Sequence, residues 1–158
     1  MKTFTSIFMV LVIIAGFILA VTPFIADKFF PAPEKITRQA KPEAAANALK
    51  QWFDSPNALI TDVQAANKTT QDKRISWFSF SVGRRPVENF IINKKLKQIS
   101  LTADKLKSVF YLDKSPASWW QPDAIKQQTF FTGKDHGVQV SLIYNPDSKR
   151  GVLVTESK

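Results

Sequence analysis

Histidine and cysteine set the first limit on the chemistry of this chain, because they supply many protein nucleophiles, bases and metal ligands. The 158 residues contain no cysteine and one histidine, His136. Thiol nucleophiles and thiolate metal sites are therefore excluded. Zinc and non-haem iron sites usually recruit at least two imidazoles. The sequence predicts neither a metal site nor a cofactor.

His136 lies in a short polar stretch, residues 133–137, which runs Gly-Lys-Asp-His-Gly. Glycines and small polar residues of this kind are typical of an exposed hairpin turn. The alternative is that His136 acts as a general base. We favour the turn, and the sequence offers no other catalytic candidate. Its 13 acidic residues show no spacing that singles out a pair, and no phosphate loop or nucleophile elbow is present.

Basic residues provide the first candidate binding surface. The chain has 22 Lys and Arg against 13 Asp and Glu, a net charge of +9. Between residues 84 and 107 only Glu88 and Asp104 oppose seven basic residues, which are Arg84, Arg85, Lys94, Lys95, Lys97, Lys105 and Lys107. This cluster predicts a patch for acidic lipid head groups, an envelope polysaccharide or an acidic protein. The alternative is a solvated helix end whose lysines match the helix dipole.

Adjacent tryptophans between two prolines, Trp119 and Trp120, form the second candidate surface. One regular element is not expected to bury two adjacent tryptophans, so we predict that one lies in the core and the other is exposed. They either cover an end of the sheet or contact a carbohydrate or protein. A nucleic-acid partner is not expected, because most aromatic residues fall at core-facing positions rather than between the basic ones.

The candidate surfaces follow an apolar leader. Residues 7–26 contain no charged side chain and thirteen Ile, Leu, Val or Phe, and twenty helical residues span about 30 Å, the thickness of the hydrocarbon core. We therefore predict an uncleaved transmembrane signal-anchor at 1–26. The alternative is a cleaved signal peptide, but the apolar core is long for one and the candidate cleavage sites are poor.

Residues 27–41 contain a Pro-Ala-Pro run and are predicted to form a stalk, and residues 42–158 are predicted to form one domain. The lysines and arginines just after the span would place the domain in the cytoplasm, because positive charges favour the cytoplasmic side of a membrane. Long domains, however, translocate largely regardless of charge. We expect the domain in the periplasm, with the anchor in a bacterial inner membrane. The resemblance to single-pass bacterial envelope proteins is one of architecture only.

Hydrophobic periodicity defines the elements that must position these residues. It predicts helices at 43–53, 86–97 and after a cap at Thr102, and a loop at 65–73. It predicts strands at 59–63, 74–82, 129–131, 138–144 and 152–155. In the predicted strand at 74–82, both sets of alternating side chains include apolar residues, which indicates a β-bulge or burial on both faces. The predicted fold class is α+β, an antiparallel sheet of four to five strands with two to three helices on one face.

Two functional hypotheses follow from these features. The first is a single-pass membrane-anchored binding or accessory protein whose basic domain docks on another envelope component, a protein or an anionic polymer. The second is an envelope-polymer hydrolase or transferase that uses paired carboxylates as acid and base. We favour the first, because it needs no catalytic residues. The sequence does not predict the oligomeric state.

Overall fold

A computed structural model describes residues 38–70, 72–112 and 115–158 of the chain. In chain order the elements are β1 (Arg38–Gln39), α1 (Pro42–Trp52), β2 (Ile60–Thr69), β3 (Arg74–Val82), α2 (Arg84–Asn93), β4 (Lys97–Ser100), α3 (Ala103–Lys105), a π-helical turn (Leu106–Tyr111), a 3₁₀ turn (Pro122–Ile125), β5 (Thr129–Asp135), β6 (Val138–Asn145) and β7 (Arg150–Ser157).

The strands form one antiparallel sheet in the order β1-β2-β3-β7-β6-β5-β4. The predicted α+β class with an antiparallel sheet is confirmed. The sheet has seven strands rather than four to five, because short edge strands extend it at both ends. β1 comes from the stretch assigned to the stalk. β4 begins at Lys97, which the sequence assigned to the end of a helix.

The central strand β3 is buried on both faces, as one of the two interpretations of its sequence requires. Phe78 and Phe80 belong to one hydrophobic cluster, whereas Ile75 and Trp77 belong to another. β3 pairs with β7 without a register shift. The bulge lies instead in β2 between Thr61 and Gln64. The prediction of a loop at 65–73 was wrong for residues 65–69, which continue β2.

Helices cover one face of the sheet, which we call the α1/α2 face. Leu49 and Phe53 of the α1 segment and Val87 and Phe90 of α2 are fully buried there. α1 begins at Pro42, which is well suited to the first helical position. α1 lies within one residue of its prediction, whereas α2 ends at Asn93, short of the predicted residue 97.

The opposite face, which we call the α3 face, is covered by α3, the π-helical turn and the 3₁₀ turn. Their buried side chains include Phe110 and Ile125, together with Trp120 from the segment between the two turns. The Thr102 hydroxyl accepts a hydrogen bond from the Lys105 backbone, which confirms the predicted cap. The expectation that helices cover only one face of the sheet was wrong. A strand such as β3, which has apolar side chains on both faces, must be covered on both sides.

The predicted signal-anchor at residues 1–26, and the predicted stalk as far as residue 37, lie outside the described residues. Within the described ranges, no helix combines the length and the apolar character that a membrane crossing requires.

Candidate functional site

The fold divides the seven predicted basic residues among three places. Arg84 and Arg85 begin α2, and Lys94 follows its end. The helix places these ends about 14 Å apart, since each residue rises about 1.5 Å. Lys105 and Lys107 lie in α3 and the π-helical turn, on the opposite face of the sheet from α2. The seven residues therefore do not form one continuous patch.

A local group of lysines surrounds the turn from α2 to β4. Lys95 and Lys97 are exposed on either side of Leu96, and a Cβ built on Gly133 would lie 2.8 Å from the Leu96 side chain. This close approach holds the turn against β5. Lys97 pairs with Thr132 in the sheet, so exposed Lys134 is its diagonal neighbour, at about 7–8 Å. We call Lys95, Lys97 and Lys134 the basic corner.

Lys94 is attached to the same corner but is already paired. Its ammonium lies 2.8 Å from Asp135 Oδ2, and both side chains are largely buried, with exposed fractions of 25% and 18%. The ammonium of Lys94 holds the pKa of the Asp135 carboxyl below its ordinary value, and His136 has a smaller effect in the same direction. Lys94 therefore connects the end of α2 to the β5–β6 hairpin and is a structural residue.

His136 occupies the hairpin turn that its sequence predicts. His136 and Gly137 have φ angles of +47° and +84°, as in a two-residue turn between paired strands. The His136 side chain is 90% exposed, and its Nδ1 lies 2.9 Å from Asp135 Oδ1. An imidazole in this position is open to water on most sides. The geometry favours the turn over a general base in an enclosed site.

At the start of α2, Arg84 donates to Glu88 Oε1 at 2.6 Å in an exposed i, i+4 pair. Such exposed pairs contribute little stability, about 0.3–0.5 kcal/mol. Arg85 is exposed beside it. One of the two predicted arginines is thus engaged within the helix, and the two lie at the far end of α2 from the basic corner.

Lys107 lines an open cavity of about 690 Å³ beside the π-helical turn, together with Asp104, Asp123 and Tyr111. Tyr111 Oη donates to Asp123 Oδ2 at 3.0 Å. Burial, followed by the hydrogen bond and charge of Asp123, raises the pKa of the Tyr111 phenol. Two carboxylates, those of Asp104 and Asp123, thus line one space, as the catalytic hypothesis requires.

The two tryptophans differ in burial. Trp120 is 2% exposed, and its Nε1 donates to the Phe110 carbonyl at 2.9 Å. Trp119 is half-buried and packs edge-on against Trp120, with ring centroids 5.9 Å apart. Trp120 is thus part of the core, and only Trp119 retains a surface that a partner could contact.

Within residues 38–70, 72–112 and 115–158, no group of three or more His, Asp or Glu side chains is arranged to hold a metal ion.

One feature was missed from the sequence, an open groove between α1 and the ends of the central strands. Its volume is about 360 Å³. We call it the α1 groove. The groove is lined by Ala44, Ala48 and Trp52 of the helix and by the polar sheet residues Asn67, Arg74, Ser76, Thr155 and Ser157. In β3 and β7, the residues that face α1 change from apolar to polar at one end of each strand. This change was the only sign of the groove in the sequence.

No protein-family model matches this chain, and no curated protein or solved structure matches it significantly.

Proposed function

We propose that this chain is a single-pass membrane-anchored binding or accessory protein, and that its domain docks through the basic corner on an acidic surface of another envelope protein. In this proposal, the apolar segment at residues 7–26 is the anchor, and the domain lies in the periplasm of a bacterial cell. The observation that carries the proposal is the convergence of Lys95, Lys97 and Lys134 around one turn of the fold.

The charges of the basic corner are available to a partner. Among the described residues, none of its three lysines has a carboxylate within ion-pair distance. The neighbouring Lys94–Asp135 pair adds no net charge, so the basic corner carries a local net charge of +3 when His136 is counted as neutral. Clustered cations of this kind accelerate association with an acidic surface and orient the encounter.

An exposed isoleucine beside the corner favours a protein as the partner. Ile92 is 71% exposed, although isoleucine is usually buried. The Lys95 backbone donates to the Ile92 carbonyl at 3.1 Å, so the two residues are neighbours at the end of α2. Protein interfaces commonly combine an apolar contact with a charged rim. A single-stranded nucleic acid is a poorer candidate, because neither residues 94–97 nor residues 132–135, which carry the lysines of the corner, contain an aromatic residue for stacking.

A matched pair of charge reversals tests the basic corner. The variant Lys95→Glu/Lys97→Glu changes the corner, and Lys105→Glu/Lys107→Glu makes the same change in net charge on the α3 face. Each tagged full-length variant is used to capture partners from a detergent extract of its own membranes. We expect the first to lose its stoichiometric partner, with binding weakened about tenfold or more, a free-energy change of at least about 1.4 kcal/mol. The second should retain the partner.

Equal loss in both variants would indicate a general charge effect and contradict the assignment to the corner. Lys94 is excluded from the test, because reversing it would place two like charges at Asp135. The anchor has a separate test. We expect the full chain to stay with membranes in an alkaline carbonate wash, and its release would overturn the membrane part of the proposal.

The hydrolase or transferase hypothesis is kept as a second candidate, because Asp104 and Asp123 line one cavity. Both residues are exposed, whereas a general acid at neutral pH usually requires burial to raise its pKa. Turnover of purified envelope polymer by the full chain, abolished in both Asp104→Asn and Asp123→Asn, would favour this candidate over docking.

A further inference from the structure

The α1 groove exists because the helix presents small side chains to the sheet. Ala44, Ala45 and Ala48 line the groove, where larger residues would fill it. Trp52 closes the side nearer α2, where its ring packs edge-on against Phe90 with centroids 6.3 Å apart. The helix thus provides an apolar wall with one aromatic ring at its end.

The floor of the groove is a polar array that the strand register assembles. Asn67 of β2 pairs with Ser76 of β3, and Ser76 pairs in turn with Thr155 of β7. Arg74 pairs with Ser157 in the adjacent row. Paired residues on neighbouring strands point to the same face of a sheet. Five polar side chains from three strands therefore line one floor.

The hydrogen-bonding capacity of this floor is not used within the described part of the protein. None of its five side chains makes a side-chain hydrogen bond there. Thr155 is the most informative, because it is only 7% exposed. It lines the open groove, where its hydroxyl can bond water or a ligand.

Arg74 gives the groove its charge. It is the single charged residue of the groove lining and has no carboxylate within ion-pair distance among the described residues. A guanidinium presents its donors as a planar fork that matches a carboxylate. Ala44 also lies in the first turn of α1, where the helix dipole favours negative charge.

We propose that the α1 groove binds a small carboxylate ligand with a hydrogen-bonding group next to the acid, as in a short peptide C-terminus or a sugar acid. Arg74 receives the carboxylate, while Asn67, Ser76 and Thr155 bond the neighbouring polar atoms. The apolar wall of α1 contacts the rest of the ligand. The volume of about 360 Å³ suits a ligand of this size. This site is independent of the basic corner.

Two pairs of probes test the ligand class on the isotope-labelled full chain in detergent, with backbone amide shifts as the readout. N-acetyl-alanyl-alanine is compared with its C-terminal amide, and galacturonate is compared with galactose. We expect a carboxylate probe to bind with a Kd of about 10 mM or tighter, shifting the amides of Asn67, Ser76 and Thr155. The neutral counterpart should bind at least tenfold more weakly. Whichever acid binds more tightly identifies the source, peptide or sugar.

Matched variants assign the binding to the groove. Arg74→Gln should weaken binding at least tenfold, whereas Arg150→Gln, at the other end of β7, should not. Ala48→Leu should fill the groove and abolish binding, whereas Asn47→Leu adds the same side chain at an exposed position of α1. Circular dichroism confirms that each variant is folded. Any of three results overturns the proposal: no binding of either acid, equal binding of acid and neutral probe, or full binding by Arg74→Gln.

Discussion

Each face of the sheet buries an apolar cluster, but the polar groups of the two faces differ in their hydrogen bonding. On the α3 face, Trp120 Nε1 bonds the Phe110 carbonyl and Tyr111 bonds Asp123. On the α1/α2 face, Tyr144 bonds the Val82 carbonyl near α2, but the floor of the α1 groove is left open. Large aromatic residues cover the strands on the α3 face, and the cavity on that face is lined only by residues between 103 and 123. The alanines of α1, in contrast, leave polar strand residues open, so a ligand in the α1 groove would contact the sheet itself.

The largest expected effects come from the aromatic residue at the centre of each face. Phe53 stacks edge-on against Phe80 and Phe90 on the α1/α2 face, and Phe110 stacks edge-on against Phe130 on the α3 face. Both Phe53 and Phe110 are fully buried. Truncation to alanine should destabilise the domain by about 3–5 kcal/mol in each case.

Because one sheet carries both faces, each truncation should move a single cooperative urea transition. Tryptophan fluorescence and far-UV circular dichroism should report the same midpoint. Separate transitions by the two probes would show that the faces unfold independently. The control is Ile92→Ala on the exposed side of α2, which should change stability by less than about 0.5 kcal/mol.

A second prediction compares two tryptophans on the same face. Trp77 and Trp120 are 3% and 2% exposed, but Trp77 Nε1 has no hydrogen-bond partner among the described residues. Replacement by phenylalanine removes a bonded donor from Trp120 and leaves the Phe110 carbonyl without its bond. The same change at Trp77 removes an unsatisfied donor. Trp120→Phe should therefore be more destabilising by about 1–3 kcal/mol.

Urea unfolding of both variants, compared with the unmodified chain, measures this difference. The loss of ring volume is common to the two substitutions and largely cancels. Equal destabilisation would mean that the Trp120 hydrogen bond contributes nothing measurable.

The comparison of faces also shows what sequence could reveal. α1, β3 and the Thr102 cap were predicted nearly to the residue, because each carries a local signal: a helical stripe, two apolar phases or a capping side chain. β4 was missed because its four residues contain one apolar side chain, Ile99, and its partner β5 is far along the chain. Short edge strands are defined by pairing rather than by their own composition.

The α1 groove was missed for a related reason. Arg74, Ser76 and Thr155 are ordinary polar residues in their own strands, and only the register of β3 with β7 places them side by side. The basic corner shows the same limit, since Lys134 joins Lys95 and Lys97 through pairing of β4 with β5. Sequence spacing alone grouped Lys105 and Lys107 with them, although these two lysines lie in α3 and the π-helical turn, away from the turn between α2 and β4.

A third prediction uses the two tyrosines, one on each face. Burial raises the pKa of the Tyr144 phenol, and burial with Asp123 raises that of Tyr111, so neither should ionise at the ordinary value of about 10. A group with a raised folded pKa contributes stability below its unfolded pKa. That stability is lost as pH rises through the folded pKa. Unfolding should therefore become easier above about pH 10.

Phenolate absorbance during a pH titration measures these ionisations in single-tyrosine variants. Tyr144→Phe also removes the 2.8 Å hydrogen bond to the Val82 carbonyl, which should cost about 0.5–1.5 kcal/mol at neutral pH. Tyr111→Phe should cost less, because its hydrogen bond to Asp123 is exposed. An ordinary pKa for Tyr144 in the folded chain would contradict its burial.

The smallest expected effect compares one ion pair on each face. The Lys94–Asp135 pair is less exposed than Lys73–Glu156, whose side chains are 41% and 32% exposed. Since Lys94 lowers the pKa of Asp135 in the fold, the stability it contributes is present above the unfolded pKa of about 3.9. It is lost as pH falls through the lower folded pKa. Asp135→Asn should cost up to about 1 kcal/mol at neutral pH, and Glu156→Gln less. Urea unfolding across the acid range should show the Asp135→Asn difference shrinking below about pH 3.9, and a constant difference would mean that Asp135 acts through packing rather than charge.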